Sequence, residues 1–273
     1  MRESSVDLQQ KALEIRKEAL NMIYEGKTGH TGGSLSETDI LVTLFYSVMN
    51  FDANHPEWPE RDRFVLSKGH SVEAYYVILA DLGYLPKEEL KTFSKFGTRL
   101  IGHPNNKVPG IEVNSGALGH GLSMAAGMAL AAKLDKKDYR VFVLMGDGEL
   151  AEGSVWEAAM AASYYKLDNL YAIVDRNGLQ ISGATEDVMG LEPLADKWRS
   201  FGFAVDSVDG HDYGAIKHAL MKKTAEKPTL LIARTTKGKG VSFMENQAKW
   251  HHGVPSEEQL AQALAELEEA ARI

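Results

Sequence analysis

The sequence predicts an α/β fold, a doubly wound and mostly parallel sheet with helices on both faces, and three observations carry that prediction. Short β-rich runs alternate with stretches of helical periodicity through most of the chain. Several of these runs are apolar without a break, as in Val141-Phe142-Val143-Leu144-Met145, which suits strands buried on both faces. Directly after that run stands Gly146-Asp147-Gly148, followed by a helical stretch near Ser154; in open α/β sheets, ligands sit outside the carboxyl ends of strands.

The elements follow in order. Leu8, Ala12, Ile15, Ala19 and Met22 fall at helical spacing, and Gly26 stands where a glycine should end that helix. The glycine-rich segment Gly29-His30-Thr31-Gly32-Gly33 is expected as a loop feeding a second helix, Thr38 to Met49, with Ile40, Leu41, Leu44, Phe45 and Val48 on one side. The strand candidates are Phe64 to Leu66, Val141 to Met145, Leu170 to Val174, Ala204 to Val208 and Thr229 to Ala233. The crossover helices are Ser71 to Leu82, Gly119 to Leu134, Val155 to Leu167, Leu194 to Phe201 and Gly214 to Ala225. Thr235 to Pro255 has no periodicity but carries Gly238, Gly240, His251, His252 and Gly253, and a loop this long is usually functional or disordered. A last helix opens with Ser256 and Gln259 at capping-box spacing and carries Leu260, Leu264 and Leu267 on one face.

The 273 residues, 44% apolar and 25% charged, suffice for a real core and exclude disorder. No repeat, low-complexity tract or Pro/Gly/Ser linker divides the chain, so residues 1–273 are expected to form a single domain. Thirty basic against 38 acidic residues give a net charge of -8, without the electropositive footprint that nucleic acid or anionic lipid needs, so any phosphate must be held locally. Zero cysteines remove disulfides, thiolate nucleophiles, zinc-cysteine sites and iron-sulfur clusters. The N-terminus lacks an apolar leader region, and the longest near-apolar stretch, Leu122 to Ala132, is far below the roughly 20 residues of a membrane span; a cytoplasmic protein with no membrane partner is expected.

Asp147 would repel a phosphate, so its sensible role beside a phosphate-favouring helix start is to hold a divalent cation that bridges to one; an ordinary turn aspartate is the plain alternative. The next strand ends in Asp175-Arg176-Asn177-Gly178-Leu179, which puts Asn177 at the same end of a neighbouring strand. A carboxylate, an amide oxygen and a backbone carbonyl leave room in an octahedral shell for two phosphate oxygens and a water, which suits magnesium. Of nine histidines, His30, His70, His103 and His252 lie in glycine-flanked segments suited to close approach of backbone to a ligand; each alone could equally be structural. His55 and His218 read as surface or packing residues, and Lys237 and Lys239 as solvated-loop lysines that could attract phosphate.

Gly146-Asp147-Gly148, then Glu152, then Asn177 thirty positions after Asp147, resembles the thiamine diphosphate fingerprint. Gly29-His30-Thr31-Gly32-Gly33, Asp62 to His70, Gly102-His103-Pro104, Val113 to Ser123 and His252-Gly253-Val254-Pro255 each resemble a transketolase signature, so the likeness runs over nearly the whole chain. The resemblance implies the diphosphate-binding domain of the thiamine diphosphate fold, with magnesium (or calcium or manganese in its place) on Asp147, Asn177 and the carbonyl of Leu179. It implies His70, Gly148 and His252 at the diphosphate, Gly116 and Leu118 along the cofactor, and Glu152 in a carboxylate network between cofactor sites. His30, His103 and His252 would face the substrate and handle its protons, and His211 would stand in a family turn near the cofactor.

Full-length transketolases resemble this chain only in their first domain; no position here matches the pyrimidine-binding domain with its activating glutamate, or the C-terminal domain. The last helix is well capped, which reads as a natural subunit. The expectation is therefore the N-terminal subunit of a split transketolase, active only with a partner that carries the pyrimidine-binding domain, in a heterotetramer. It would transfer a two-carbon ketol unit from a ketose phosphate such as xylulose 5-phosphate to an aldose phosphate, in pentose phosphate metabolism. The alternatives are a deoxyxylulose-phosphate synthase-like or dehydrogenase component, a specialised sugar-phosphate transketolase, or a non-catalytic cofactor-binding module. A nicotinamide dehydrogenase is weaker, because no Gly-x-Gly-x-x-Gly follows the first strand.

Overall fold

The computed structural model describes residues 6–271; Met1 to Ser5, part of the segment read above as lacking a leader, lie outside them. In chain order the strands are β1 (Arg63–Leu66), β2 (Val141–Gly146), β3 (Leu170–Arg176), β4 (Leu179–Gln180), β5 (Gly183–Ala184), β6 (Ala204–Asp209) and β7 (Thr229–Arg234). The helices are α1 (Leu8–Gly26), α2 (Thr31–Thr43), α3 (Glu73–Asp81), α4 (Gly121–Leu134), α5 (Gly153–Tyr164), α6 (Thr185–Val188), α7 (Leu194–Ser200), α8 (Tyr213–Met221) and α9 (Glu257–Ala270). The five strand runs read from sequence form one parallel sheet in the order β1-β2-β3-β7-β6, and β4 and β5 make a small antiparallel hairpin.

The unbroken apolar runs have the reason expected of them. Phe142 and Leu144 of β2, with Tyr171 and Ile173 of β3, point to the face covered by α1, α2, α3 and α8. Val141, Val143 and Met145, with Leu170, Ala172 and Val174, point to the face covered by α4, α5 and α7. Period-two alternation fills two cores rather than a core and a solvent face, so every position must be apolar.

Two local expectations are corrected. Helix α1 does end at Gly26, but the left-handed residue is Lys27 (φ 53°); Gly26 is needed because a Cβ there would lie 2.8 Å from the Phe93 ring. Helix α2 starts at Thr31, not Thr38, with the glycines inside its first turn. Close packing outweighs their poor propensity: a Cβ on Gly32 would sit 2.8 Å from the Trp250 carbonyl, and one on Gly33 3.1 Å from Ser71 Cβ. The helix is buried along its length and passes at Leu44 into one wider turn through Val48.

The segment from Thr235 to Pro255 is packed, not loose. Val241, Met244 and Trp250 form a third apolar cluster with Leu13, Leu20 and Leu35 of α1 and α2 and with Leu260, Ala263 and Leu267 of α9. The expected capping box is formed: Ser256 Oγ accepts from Gln259 N at 3.2 Å, and Gln259 Oε1 from Ser256 N at 3.0 Å. Among the described residues no helix is long and apolar enough to cross a membrane.

Candidate active site

In the sheet register Gly146 stands opposite Asp175, and Asp175 opposite Ala233, so the turns after β2, β3 and β7 leave the sheet at one level. Together with the turn after β1 they enclose a cleft of about 370 Å³. Lys68 enters from the end of β1, Gly146 to Glu149 from β2, Asn177 and Leu179 from β3, and Lys237 from β7. The start of α2 adds His30 and Gly33, and the segment before α4 adds Gly116 and Leu118.

His30, His70, Gly116, Leu118, Asp147, Gly148, Asn177 and Leu179 all line this cleft. His103 and His252 stand one ring further out, with centroids 6.5 and 4.8 Å from His30. His252 is brought there by a parallel bridge between His30 and Gly253, and its Nε2 lies 3.3 Å from Thr28 Oγ1. Glu152 is exposed at the N-cap of α5, outside the cleft.

The Asp147 side chain is fixed by backbone: Gly148 N–H donates to Oδ1 at 2.8 Å and Gly178 N–H to Oδ2 at 2.6 Å. Burial raises its pKa, helped by Asp175, while the Gly178 amide and Arg176 pull it down. Asn177 Oδ1 accepts from Leu179 N at 3.1 Å. The carboxylate, amide and carbonyl oxygens of Asp147, Asn177 and Leu179 are hard donors, yet among the described residues no three His, Cys, Asp or Glu form a metal cage. A cation held here must draw further oxygens from its ligand, as one bound to a diphosphate does.

The cleft also holds two buried cations, which were largely missed from sequence. Lys68, 2% exposed, hydrogen-bonds Asp175 and lies 3.0 Å from Glu37 Oε2. Burial opposes its charge, but the two carboxylates hold the ammonium above its ordinary range. Glu37 pays in turn: burial pushes it up to about 8 against the pull of Lys68, and its Oε1 has no hydrogen-bond partner.

Lys237 corrects the solvated-loop reading, being 3% exposed, whereas Lys239 is partly exposed as expected. The Lys237 ammonium donates to the Leu179 carbonyl at 3.4 Å and lies 3.2 Å from His251 Nδ1; among the described residues no carboxylate pairs with it. Burial, with Lys68 nearby, lowers it to about 8. The available signal was position, since Lys68 and Lys237 stand two and three residues beyond the ends of β1 and β7.

Four of the clustered histidines are pushed toward the neutral form. Burial, then His252 and His103, lowers His30 to about 4; burial, then Lys237, lowers His251 to about 3. Burial and Lys68 press His70 further down still, and burial lowers His103. His251, which sequence reading left without a role, lines the cleft with its ring 5.2 Å from that of His70. Buried Glu73 anchors the segment that carries His30, accepting from His30 N at 2.8 Å and Ser34 Oγ at 2.6 Å. An anion entering the cleft meets two ammonium groups and several neutral imidazoles; its charge would raise the imidazole pKa values toward the range of acid-base work.

Residues 8–268 match the family model described as transketolase, thiamine diphosphate binding domain. The chain is 53% identical over 256 residues to an apulose-4-phosphate transketolase subunit of Phocaeicola vulgatus, covering 93% of this chain and 91% of that protein. It is 45% identical over 271 residues to the 6-deoxy-6-sulfo-D-fructose transketolase subunit SqwG of Clostridium sp., covering 98% of each. Among solved structures it superposes with a TM-score of 0.91 on a transketolase from Leishmania mexicana, at 32% identity over 97% of this chain and 42% of that one. It thus spans less than half the length of that solved transketolase.

Proposed function

The chain belongs to the transketolase thiamine diphosphate-binding domain family, and from that premise we propose that it is the N-terminal subunit of a two-component transketolase. The reading rests above all on one observation: the ends of four parallel strands bring hard oxygen donors and two buried ammonium groups together in one cleft. The relatives named as subunits, matched over nearly their whole length, support a separate partner chain, to which we assign the pyrimidine-binding domain, and we assign the assembly as a heterotetramer.

The donor chemistry fits a magnesium diphosphate. Asp147, Asn177 and the Leu179 carbonyl would hold the cation, with calcium or manganese able to take its place, and His70, Gly148 and His252 the diphosphate, joined by Lys68 and Lys237. Gly148 lets the turn after β2 pack closely on the hairpin, because a Cβ there would lie 3.1 Å from Gln180 Cβ. Thiamine diphosphate bound there would supply the carbanion chemistry needed to take up and release a two-carbon unit. Gly116 and Leu118 would pack along it. His30, His103 and His252, one cluster at the cleft mouth, would move protons on the hydroxyl and carbonyl oxygens of the sugar. Glu152, exposed at the start of α5, is free to meet a carboxylate of a second site across an interface.

The reaction we assign is ketol transfer from a ketose phosphate to an aldose phosphate in the cytoplasm, with xylulose 5-phosphate as the reference donor. A specialised sugar is the second reading, favoured by the 53% identity to a protein named for apulose 4-phosphate. The test is ketol transfer to ribose 5-phosphate or glyceraldehyde 3-phosphate, with magnesium and thiamine diphosphate, by the chain alone and with its co-purifying partner. Activity with xylulose 5-phosphate only in the mixture supports the first reading. Activity only with apulose 4-phosphate or a sulfofructose supports the second, and none with any ketose overturns both.

A further inference from the structure

We propose that Arg176 is a positioning residue that makes Asp147 a one-oxygen ligand, so that the site prefers a small octahedral cation over a larger one. The proposal rests on the reading of Asp147 as a cation ligand. An ionised carboxylate oxygen offers about two lone-pair directions. On Asp147 Oδ2 both are taken, by Gly178 N–H at 2.6 Å and Arg176 Nη1 at 3.1 Å. Oδ1 accepts only Gly148 N–H, at 2.8 Å, and keeps one direction free.

Arg176 is not a loose surface charge that a cation would displace easily. Its side chain is 11% exposed, and its fork is pinned on four sides. Beyond Asp147, Nη1 donates to Thr185 Oγ1 at 2.5 Å, and Nη2 to Glu186 Oε1 at 2.7 Å and Glu192 Oε1 at 3.2 Å. A planar guanidinium held at both ends keeps its Nη1 aimed at Oδ2 of Asp147. It also ties that carboxylate to the 185–192 segment just beyond the hairpin bearing Leu179.

The consequence is a selectivity. Magnesium demands near-ideal octahedral geometry at short distance and takes a carboxylate through one oxygen, whereas calcium accepts more oxygens and commonly both of a carboxylate. With Oδ2 closed by Arg176, the two-oxygen mode is denied to calcium. Removing Arg176 leaves Oδ2 with only the Gly178 amide and opens that mode.

The experiment is a calorimetric titration of thiamine diphosphate into the full chain at graded magnesium or calcium, giving for each metal the concentration that half-supports binding. Wild type is expected to need less magnesium than calcium. In Arg176→Met the ratio of the two midpoints should move toward calcium by about tenfold, the usual scale of effects from residues behind a metal ligand. Arg176→Lys, which keeps a cation beside Oδ2, should restore most of the magnesium preference. Because the ratio is taken within one preparation, a partly unfolded variant does not shift it. A ratio unchanged in Arg176→Met, or midpoints weakened equally for both metals, overturns the proposal and leaves the cation site standing. A wild type whose cofactor binding ignores divalent cations overturns the cation site itself, and this proposal with it.

Discussion

His211 and Asp39 are joined by a 2.6 Å contact between Nδ1 and Oδ2, and the other ring nitrogen of His211 accepts the backbone N–H of Thr236 at 2.9 Å. Asp39 is 2% exposed and takes a bidentate pair from Arg16 and a hydrogen bond from Tyr213 as well, so α1, α2, α8 and the turn after β6 meet on one carboxylate, and His211 ties the chain after β7 to it. His211 therefore stands behind the cleft rather than in it. What it holds is the residue just before Lys237.

His211→Ala should accordingly act in two ways. Leaving the Thr236 amide without its acceptor, and one Asp39 lone pair unfilled, should cost about 1–3 kcal/mol of stability, read by urea unfolding. Release of the segment should also weaken thiamine diphosphate binding. Loss of stability with cofactor affinity unchanged would mean that His211 does not position Lys237.

Lys68 predicts a large effect and a partial rescue. Lys68→Met strands Asp175 as an uncompensated buried charge and should cost about 3–5 kcal/mol in denaturant unfolding. Lys68→Met with Asp175→Asn removes both charges and should recover much of it. If the double variant is as unstable as the sum of both single changes, the pair is not coupled.

Glu37 predicts the sign of a pH dependence. Its carboxyl is raised in the folded chain from 4.5 to about 8 by burial, so the folded state binds a proton that the unfolded state releases. The group's favourable contribution is complete below pH 4.5 and is lost as pH rises through about 8. Glu37→Gln should flatten the fall in stability across that window, measured as unfolding midpoints at constant ionic strength. An identical slope in wild type and variant would show that Glu37 is ionised throughout.

Asp147→Ala should abolish magnesium-dependent binding of thiamine diphosphate, because it removes the only charged member of the proposed ligand set Asp147, Asn177 and Leu179. Calorimetry with and without magnesium reads this directly, and retained magnesium-dependent affinity sinks the assignment.

Gly116 combines φ 132° with a Cβ position 2.4 Å from His103 Cδ2. Gly116→Ala should strain the backbone by about 1–3 kcal/mol and push His103 off its site. In the enzyme reconstituted with its partner, kcat should fall by up to about 100-fold, the scale of an ångström-level misplacement. An unchanged kcat would separate His103 from the proton transfers.

The sequence by itself determined the fold class and picked out most of the residues that line the cleft. Both are written in local patterns: apolar runs for strands buried on two faces, helical periodicity between them, and glycines next to the histidines and to Asp147. Period two fixes which residues of β2 and β3 face each core, and the turns after those strands place Asp147 and Asn177 side by side. Local patterns misled where packing overrides propensity, as at Gly32 and Gly33, which look like a loop but pack inside α2 against Trp250 and Ser71. Only the tertiary structure decided the electrostatics. Whether Lys237 is a solvated lysine or a buried ammonium depends on the wall that α1, α2 and α9 build behind Val241 and Trp250. Whether Glu37 is charged depends on Lys68, 31 positions away in sequence and 3.0 Å away in space. Burial and charge pairing are properties of distance, and a sequence orders its residues along the chain without saying which distant ones meet.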